Sequence, residues 1–275
     1  MIAKLATLAS AAAIASTSYA AYSGPSVILN EYNAVGSTKH LKETNFADSD
    51  KADTQFGRIL GNGGNWFELV VLGDGTTGST VNLQGATLSW VEEETNGTLT
   101  LSNDAFWANL TAGTILTFAE NDVITSQAGT DIVNGSDTSL NFASGDNWAH
   151  IYAGDTSLIS SFTTNDDGIF SVGNDSWNLT LTDASAATIF GPIGEDTGGA
   201  TGGVNSKEVF KYEGQLTVPF DVVNYNDGSS SSFGQANVWS SGEFSQDFSS
   251  FIAVPEPASF LLLTLGSFAL LRRKA

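Results

Sequence analysis

The stretch Gly61-Asn62-Gly63-Gly64-Asn65-Trp66-Phe67-Glu68-Leu69-Val70-Val71-Leu72-Gly73-Asp74-Gly75 decides how the rest of the chain is read. Its centre is a short run of aromatic, β-branched and aliphatic side chains. On both sides stand glycines with asparagine or aspartate, the residues that reverse a chain at least steric cost. Such a frame predicts a β-strand over 66–72. Working outward, comparable short alternations recur at 26–31, 81–83, 86–91, 97–101, 114–118, 148–152, 177–181 and 208–212. Short strands at regular spacing, separated by Gly, Asn and Asp turns, predict an all-β sandwich or barrel.

The composition agrees. With 41% apolar residues, 17 Phe and 6 Trp, a chain of 275 residues can fill a core, and only 15% charged residues with 29 Gly argue against long surface helices. There is no cysteine, so disulfides and thiolate chemistry are excluded and stability must come from packing. The formal net charge is −20, and no Lys or Arg occurs between Ile59 and Ser206. A protein this acidic lacks the basic clusters that binding to nucleic acid needs. Its surface attracts cations instead.

The two ends read differently from the middle. Lys4, an apolar stretch over 5–14 and then Ser18-Tyr19-Ala20 have the layout of a secretory signal peptide, with removal of 1–20 by a cut between Ala20 and Ala21. At the other end, Pro255-Glu256-Pro257 precedes 14 uncharged residues, 258–271, and then Arg272-Arg273-Lys274. As a helix that run rises about 21 Å, short of the roughly 30 Å of bilayer hydrocarbon. The basic terminus holds one end at the cytoplasmic side, so a transient span is expected, as a processing signal requires. Without these segments, six basic residues face about 30 acids, a net charge of about −24.

The tail resembles the PEP-CTERM sorting signal of Gram-negative bacteria, carried here over 254–275 by Pro255, Glu256, Pro257, the apolar run, Arg272 and Arg273. The resemblance implies cleavage near the motif by a membrane-embedded exosortase after signal peptidase has acted. It also implies delivery to the cell surface, the outer membrane or the extracellular matrix, with exopolysaccharide as the partner at hand. The middle of the chain resembles the lamin-tail domain, an immunoglobulin-like β-sandwich. The matching residues are Val27-Ile28-Leu29-Asn30-Glu31, Trp66-Phe67-Glu68-Leu69, Leu83-Gln84-Gly85-Ala86-Thr87-Leu88 and Leu179-Thr180-Leu181-Thr182-Asp183-Ala184. The expected layout is a lamin-tail-like sandwich over 21–222, with an insertion at about 123–165. A Ser/Gly/Asn-rich tether at 223–253 follows, then a short apolar helix in the tail. Within the tether, Phe233, Trp239, Phe244, Phe248 and Phe251 leave room for a docked final strand.

No catalytic constellation emerges, and the expectation is a non-enzymatic protein. His40 and His150 stand in no zinc or triad spacing. A secreted hydrolase with paired carboxylates acting on polysaccharide is the alternative, and it would need two acids held across one cleft. Glu92-Glu93-Glu94 reads as a solvated hairpin loop turning at Thr95-Asn96-Gly97. Calcium is the plausible ion: Asp166 and Asp167 in Asn165-Asp166-Asp167-Gly168 offer clustered oxygens, as do Asp131 with Asp137, although turn-forming Asp and Asn give the same letters. Trp66, Trp90, Trp148 and Trp177 fall within expected strands and are expected in the core, leaving Trp107 and Trp239 for the surface.

Overall fold

The computed structural model describes residues 22–41, 52–166, 170–198, 203–216 and 218–252. Its first sheet contains β1 (Val27–Asn33), β2 (Trp66–Val71), β7 (Ile115–Ala119), β10 (Trp148–Tyr152), β14 (Val209–Tyr212) and β15 (Tyr225–Gly228), in the order β10-β7-β2-β1-β14-β15. All neighbours are antiparallel except β10 and β7. The second sheet contains β4 (Thr87–Glu92), β5 (Thr95–Leu101), β11 (Ile159–Thr164), β12 (Asn178–Thr182) and β13 (Thr188–Gly194), ordered β11-β5-β4-β12-β13 and wholly antiparallel. Two small ribbons complete the set: β3 (Thr80–Val81) with β6 (Leu110–Thr111), and β8 (Val123–Thr125) with β9 (Asp131–Asn134).

The two large sheets form a sandwich, joined by a seam of aromatic rings. Tyr32 and Phe67 from the first sheet meet Trp177 at centroid distances of 4.7 and 5.8 Å. Phe170 bridges Phe67 at 5.1 Å and Trp90 at 5.4 Å. The strands of the second sheet alternate buried with half-exposed residues, the pattern of a sheet with one wet face. In β1, β2, β7 and β14, by contrast, every residue is buried. Both faces of the first sheet are therefore covered, which is why Trp66-Phe67-Glu68-Leu69-Val70-Val71 reads as a continuous run.

What covers the outer face corrects two expectations. The segment 223–253 is not a tether: β15 extends the first sheet, and Ser229, Ser231, Ser232, Phe233, Asn237, Gln246, Phe248 and Phe251 are buried. Nor is 123–165 an insertion of separate structure. Its first part forms the β8–β9 ribbon, but β10 is an edge of the first sheet and β11 an edge of the second. Trp107 is another correction. It is fully buried, with its indole N–H donated to the Leu158 carbonyl at 3.0 Å. The hairpin turn between β4 and β5 falls at Glu93-Glu94, because Glu92 pairs directly with Thr95.

Candidate functional site

Strand pairing places a row of polar residues across the first sheet. Asn226 faces Lys211, Lys211 faces Glu31, Glu31 faces Glu68, Glu68 faces Thr117 and Thr117 faces His150. Residues directly opposite one another share a face. This row lies on the outer face, since the sandwich face is taken by Tyr32, Phe67, Phe118 and Phe210. From Lys211 to His150 every member is buried.

A β-bulge aims the row. Leu29 pairs with Leu69 and Glu31 with Glu68, so β1 spends one residue more than β2, the extra one being Asn30. Asn30 and Glu31 thereby both serve the outer face. The Asn30 side chain donates to Glu68 Oε1 at 2.8 Å and accepts from Gln246 Nε2 at 2.7 Å.

The Ser-rich segment 229–238 lies over this row as a strap and satisfies it. Ser232 N–H donates to both carboxylate oxygens of Glu31 at 3.3 Å, and Gly234 N–H donates to Glu68 Oε2 at 2.8 Å. The Lys211 ammonium donates to Ser230 and to the Val238 carbonyl at 2.7 Å. Asp53 takes the Ser231 hydroxyl at 2.5 Å and Phe233 N–H at 3.1 Å. Phe233 then wedges its ring among Phe56, Trp66, Trp148 and His150, at 4.5, 5.0, 5.6 and 5.9 Å. Gly234 has φ +69°, and a Cβ there would sit 2.4 Å from the Trp148 indole, so only glycine lets the strap approach this closely.

Burial sets the protonation of the row. It pushes the Glu68 carboxyl up to about 8 against the pull of three hydrogen-bond donors. Burial likewise raises Glu31 well above the usual carboxylate range, with Lys211 opposing. Away from the row, burial raises Glu92 and Glu120 to about 7. His150 is pushed the other way, down to about 4, again by burial, with Asp137 opposing. In the unfolded chain Glu68 loses its proton near 4.5, in the fold only near 8. Its favourable contribution is therefore complete at low pH and is lost as pH rises through about 8; the other raised carboxyls act in the same direction. His150 contributes above its unfolded value of 6.5 and loses that contribution as pH falls through about 4. The urea midpoint is accordingly expected to fall between pH 5 and pH 9, and Glu68→Gln to flatten that fall by up to a few kcal/mol, one pKa unit being worth about 1.4 kcal/mol. A wild-type midpoint that does not change across this range would show Glu68 to be charged in the fold.

At the β10 end the row opens on a cavity of about 450 Å³, lined by Asp131, Asn134, Asp137, Asp146, Trp148 and His150 among others. Neither ring nitrogen of His150 has a hydrogen-bond partner, although the side chain is only 1% exposed. An unsatisfied buried donor or acceptor ordinarily costs about 1–3 kcal/mol. Trp148 is half-buried and donates its indole N–H to Thr117 Oγ1 at 2.9 Å, which in turn donates to Glu68 Oε2 at 3.0 Å. The cavity is thus wired to the centre of the row.

The second sheet offers a different surface. Ser161, Thr100, Thr87, Thr182 and Thr188 form one row across its five strands, and Thr163, Thr98, Ser89 and Thr180 form the next. These rows carry hydroxyls and no charge, on a protein of 30 acids.

The residues singled out in the sequence fall in several places. Asp131 and Asp137 share the cavity, with Asp131 accepting from Thr125 and Asp137 from Ser139. Asp166 accepts from the Ser171 hydroxyl at 2.8 Å, while Asp167 lies outside the described residues. Among the described residues, no three or more acidic or histidine side chains converge closely enough to hold a metal ion. Sequence reasoning missed Lys211, Asp53 and the serines; the one available sign was Glu68 inside an apolar strand. Ala20, Ala21, Pro255, Glu256, Pro257, Arg272 and Arg273 lie outside the described residues, as does the 258–271 run. Among the described residues, no helix is long and apolar enough to cross a membrane.

The PEP-CTERM protein-sorting motif matches residues 253–274. That match assigns the tail as a sorting signal, and with it export from a Gram-negative cell and recognition by an exosortase. No curated protein and no solved structure matches the chain.

Proposed function

We propose that the chain is a non-enzymatic cell-surface or matrix protein whose β-sandwich is a structural or binding module held among exopolysaccharide. The observation that carries this reading is the sorting motif at 253–274, which follows the β-sandwich in the chain. Signal peptidase removes 1–20 and an exosortase acts near Pro255-Glu256-Pro257, so the apolar run crosses the membrane only in transit. The uncharged hydroxyl rows of the second sheet support the partner class, because they offer hydrogen bonds to a polysaccharide without the repulsion of the acidic surface. A lamin-tail-like identity for the sandwich draws support from the placement of its quoted residues. Leu29 and Glu31 pair with Leu69 and Glu68 across β1 and β2, and Leu179-Thr180-Leu181-Thr182 forms most of β12.

Mass spectrometry of the protein recovered from the cell surface is expected to find neither residues 1–20 nor 258–275. Retention of both segments would overturn the sorting account. Turnover of a polysaccharide that a single Asp or Glu substitution abolishes would replace the non-enzymatic reading with a hydrolase.

A further inference from the structure

We propose that the free edge of β11 is an interface at which two copies of this chain pair, strand against strand, about a twofold axis. The two large sheets have four edge strands, and three of them are closed to such pairing. On its far side β10 exchanges backbone hydrogen bonds between His150 and Asp137, at 2.8 and 2.9 Å, and Tyr152 N–H donates to Ser136 Oγ at 3.0 Å. β13 is interrupted by Pro192, shifts register against β12 and folds back through a bridge between Gly194 and Thr197. β15 has only four residues, and its Asp227 carbonyl accepts from the Ser240 hydroxyl at 2.9 Å. β11 carries none of these devices. Its six residues, Ile159-Ser160-Ser161-Phe162-Thr163-Thr164, include neither proline nor charge, and among the described residues no strand or bridge lies on its far side. Its bulge at Ser160 lies at one end and leaves 161–164 in step with β5. Such an edge is a template for another strand.

Charge and packing identify the occupant as a second copy. Each chain has a formal net charge of −20, so two copies repel least where the surface is uncharged, and β11 with the hydroxyl rows beside it is such a surface. Phe162 supplies the second indication. Its ring lies 5.8 Å from Trp90 and 5.5 Å from Phe170, yet it is only half-buried, because its strand is the last of the sheet. Antiparallel pairing centred on Phe162 sets that ring beside its twofold mate and covers it. The same register places Ser161 opposite Thr163 of the second copy, repeating across the axis the hydroxyl contact that Thr163 makes with Thr98 at 2.8 Å. Asp166 falls opposite Leu158, so it meets no acid. Both copies use the same edge and the far edge of the sheet is blocked at β13, so assembly closes at two. The hydroxyl rows of one copy then continue into those of the other.

The test is sedimentation velocity of the full chain at rising concentration. The wild type is expected to pass from monomer to dimer. Ser161→Asp combined with Thr163→Asp sets carboxylate against carboxylate at two exposed positions, and is expected to raise the dissociation constant about tenfold or more while leaving the melting temperature of the dilute protein unchanged. Cysteines read the register, since the chain has none of its own. Ser161→Cys mixed with Thr163→Cys is expected to form a disulfide between copies. Either variant alone is expected to cross-link far less, because identical positions lie diagonally across the axis at roughly 7–8 Å, at or beyond the reach of a disulfide. A wild type that stays monomeric up to about 1 mM would overturn the proposal. So would association that survives both aspartates, as pairing through any other part of the chain does. Cross-linking in the mixture no greater than in either variant alone would overturn it as well.

Discussion

Lys211→Ala is expected to destabilise the domain by about 3–5 kcal/mol, the usual effect of removing one partner from a buried charge pair. For a domain of this size that corresponds to a fall in Tm of roughly 6–20 °C. The reason lies in what Lys211 faces. It stands directly across from Glu31, both side chains are fully buried, and its ammonium is the opposite charge that offsets the desolvation of that carboxyl. The same ammonium ties down the strap through Ser230 and Val238. Alanine takes the opposite charge away from Glu31, and it removes the ammonium from which Ser230 and the Val238 carbonyl accept. Combining Lys211→Met with Glu31→Gln removes the charge while keeping an acceptor for Ser232, and is expected to recover a substantial part of the loss, since buried pairs are often replaceable by neutral groups of similar volume. Thermal melts of the two variants side by side check this. Equal destabilisation of both would mean that Lys211 acts through packing and not through its charge.

Phe233→Ala is expected to cost about 3–5 kcal/mol as well, by a different mechanism. The Phe233 ring is fully buried and touches four other aromatic rings, so its loss opens a cavity bounded by Phe56, Trp66, Trp148 and His150. Water reaching Trp66 and Trp148 should shift the tryptophan emission to longer wavelength at the same time. Phe233→Leu, which keeps most of the volume, is expected to lose less than half as much. A change within about 0.5 kcal/mol for Phe233→Ala is what an exposed linker residue would give, and would place Phe233 outside the core.

These two residues also mark where the sequence is opaque. The nine strands expected from apolar alternation all occur, with ends shifted by a few residues, because alternation and Gly/Asn turns are local properties of a sheet. β2 is legible because it is buried on both faces. The strap is not, because Ser229-Ser230-Ser231-Ser232 has the composition of a flexible linker. It is held by backbone N–H groups and hydroxyls meeting buried carboxylates 160 or more residues away in sequence, and apolar periodicity carries no trace of such contacts. The polar row is hidden for a similar reason. Lys211, Glu31, Glu68, Thr117 and His150 come from five strands, and only the register, with its bulge at Asn30, brings them into line. β10 and β11 fall within the expected insertion because 123–165 is longer than a simple strand connection, although each joins a sheet edge. No strand pattern surrounds Trp107, so its sequence context reads as surface; a short 3-10 turn over Ala105–Asn109 carries it into the core.

The central claim is that the strap 229–238 is part of the folded domain, fixed over a buried polar row. Hydrogen exchange of the backbone amides in that segment tests it most directly. Ser232, Phe233 and Gly234 donate their N–H groups to Glu31, Asp53 and Glu68, so their exchange is expected to be as slow as that of β1 and β2. Exchange across 229–238 at the rate of an unfolded chain, while β1 and β2 stay protected, would contradict the account.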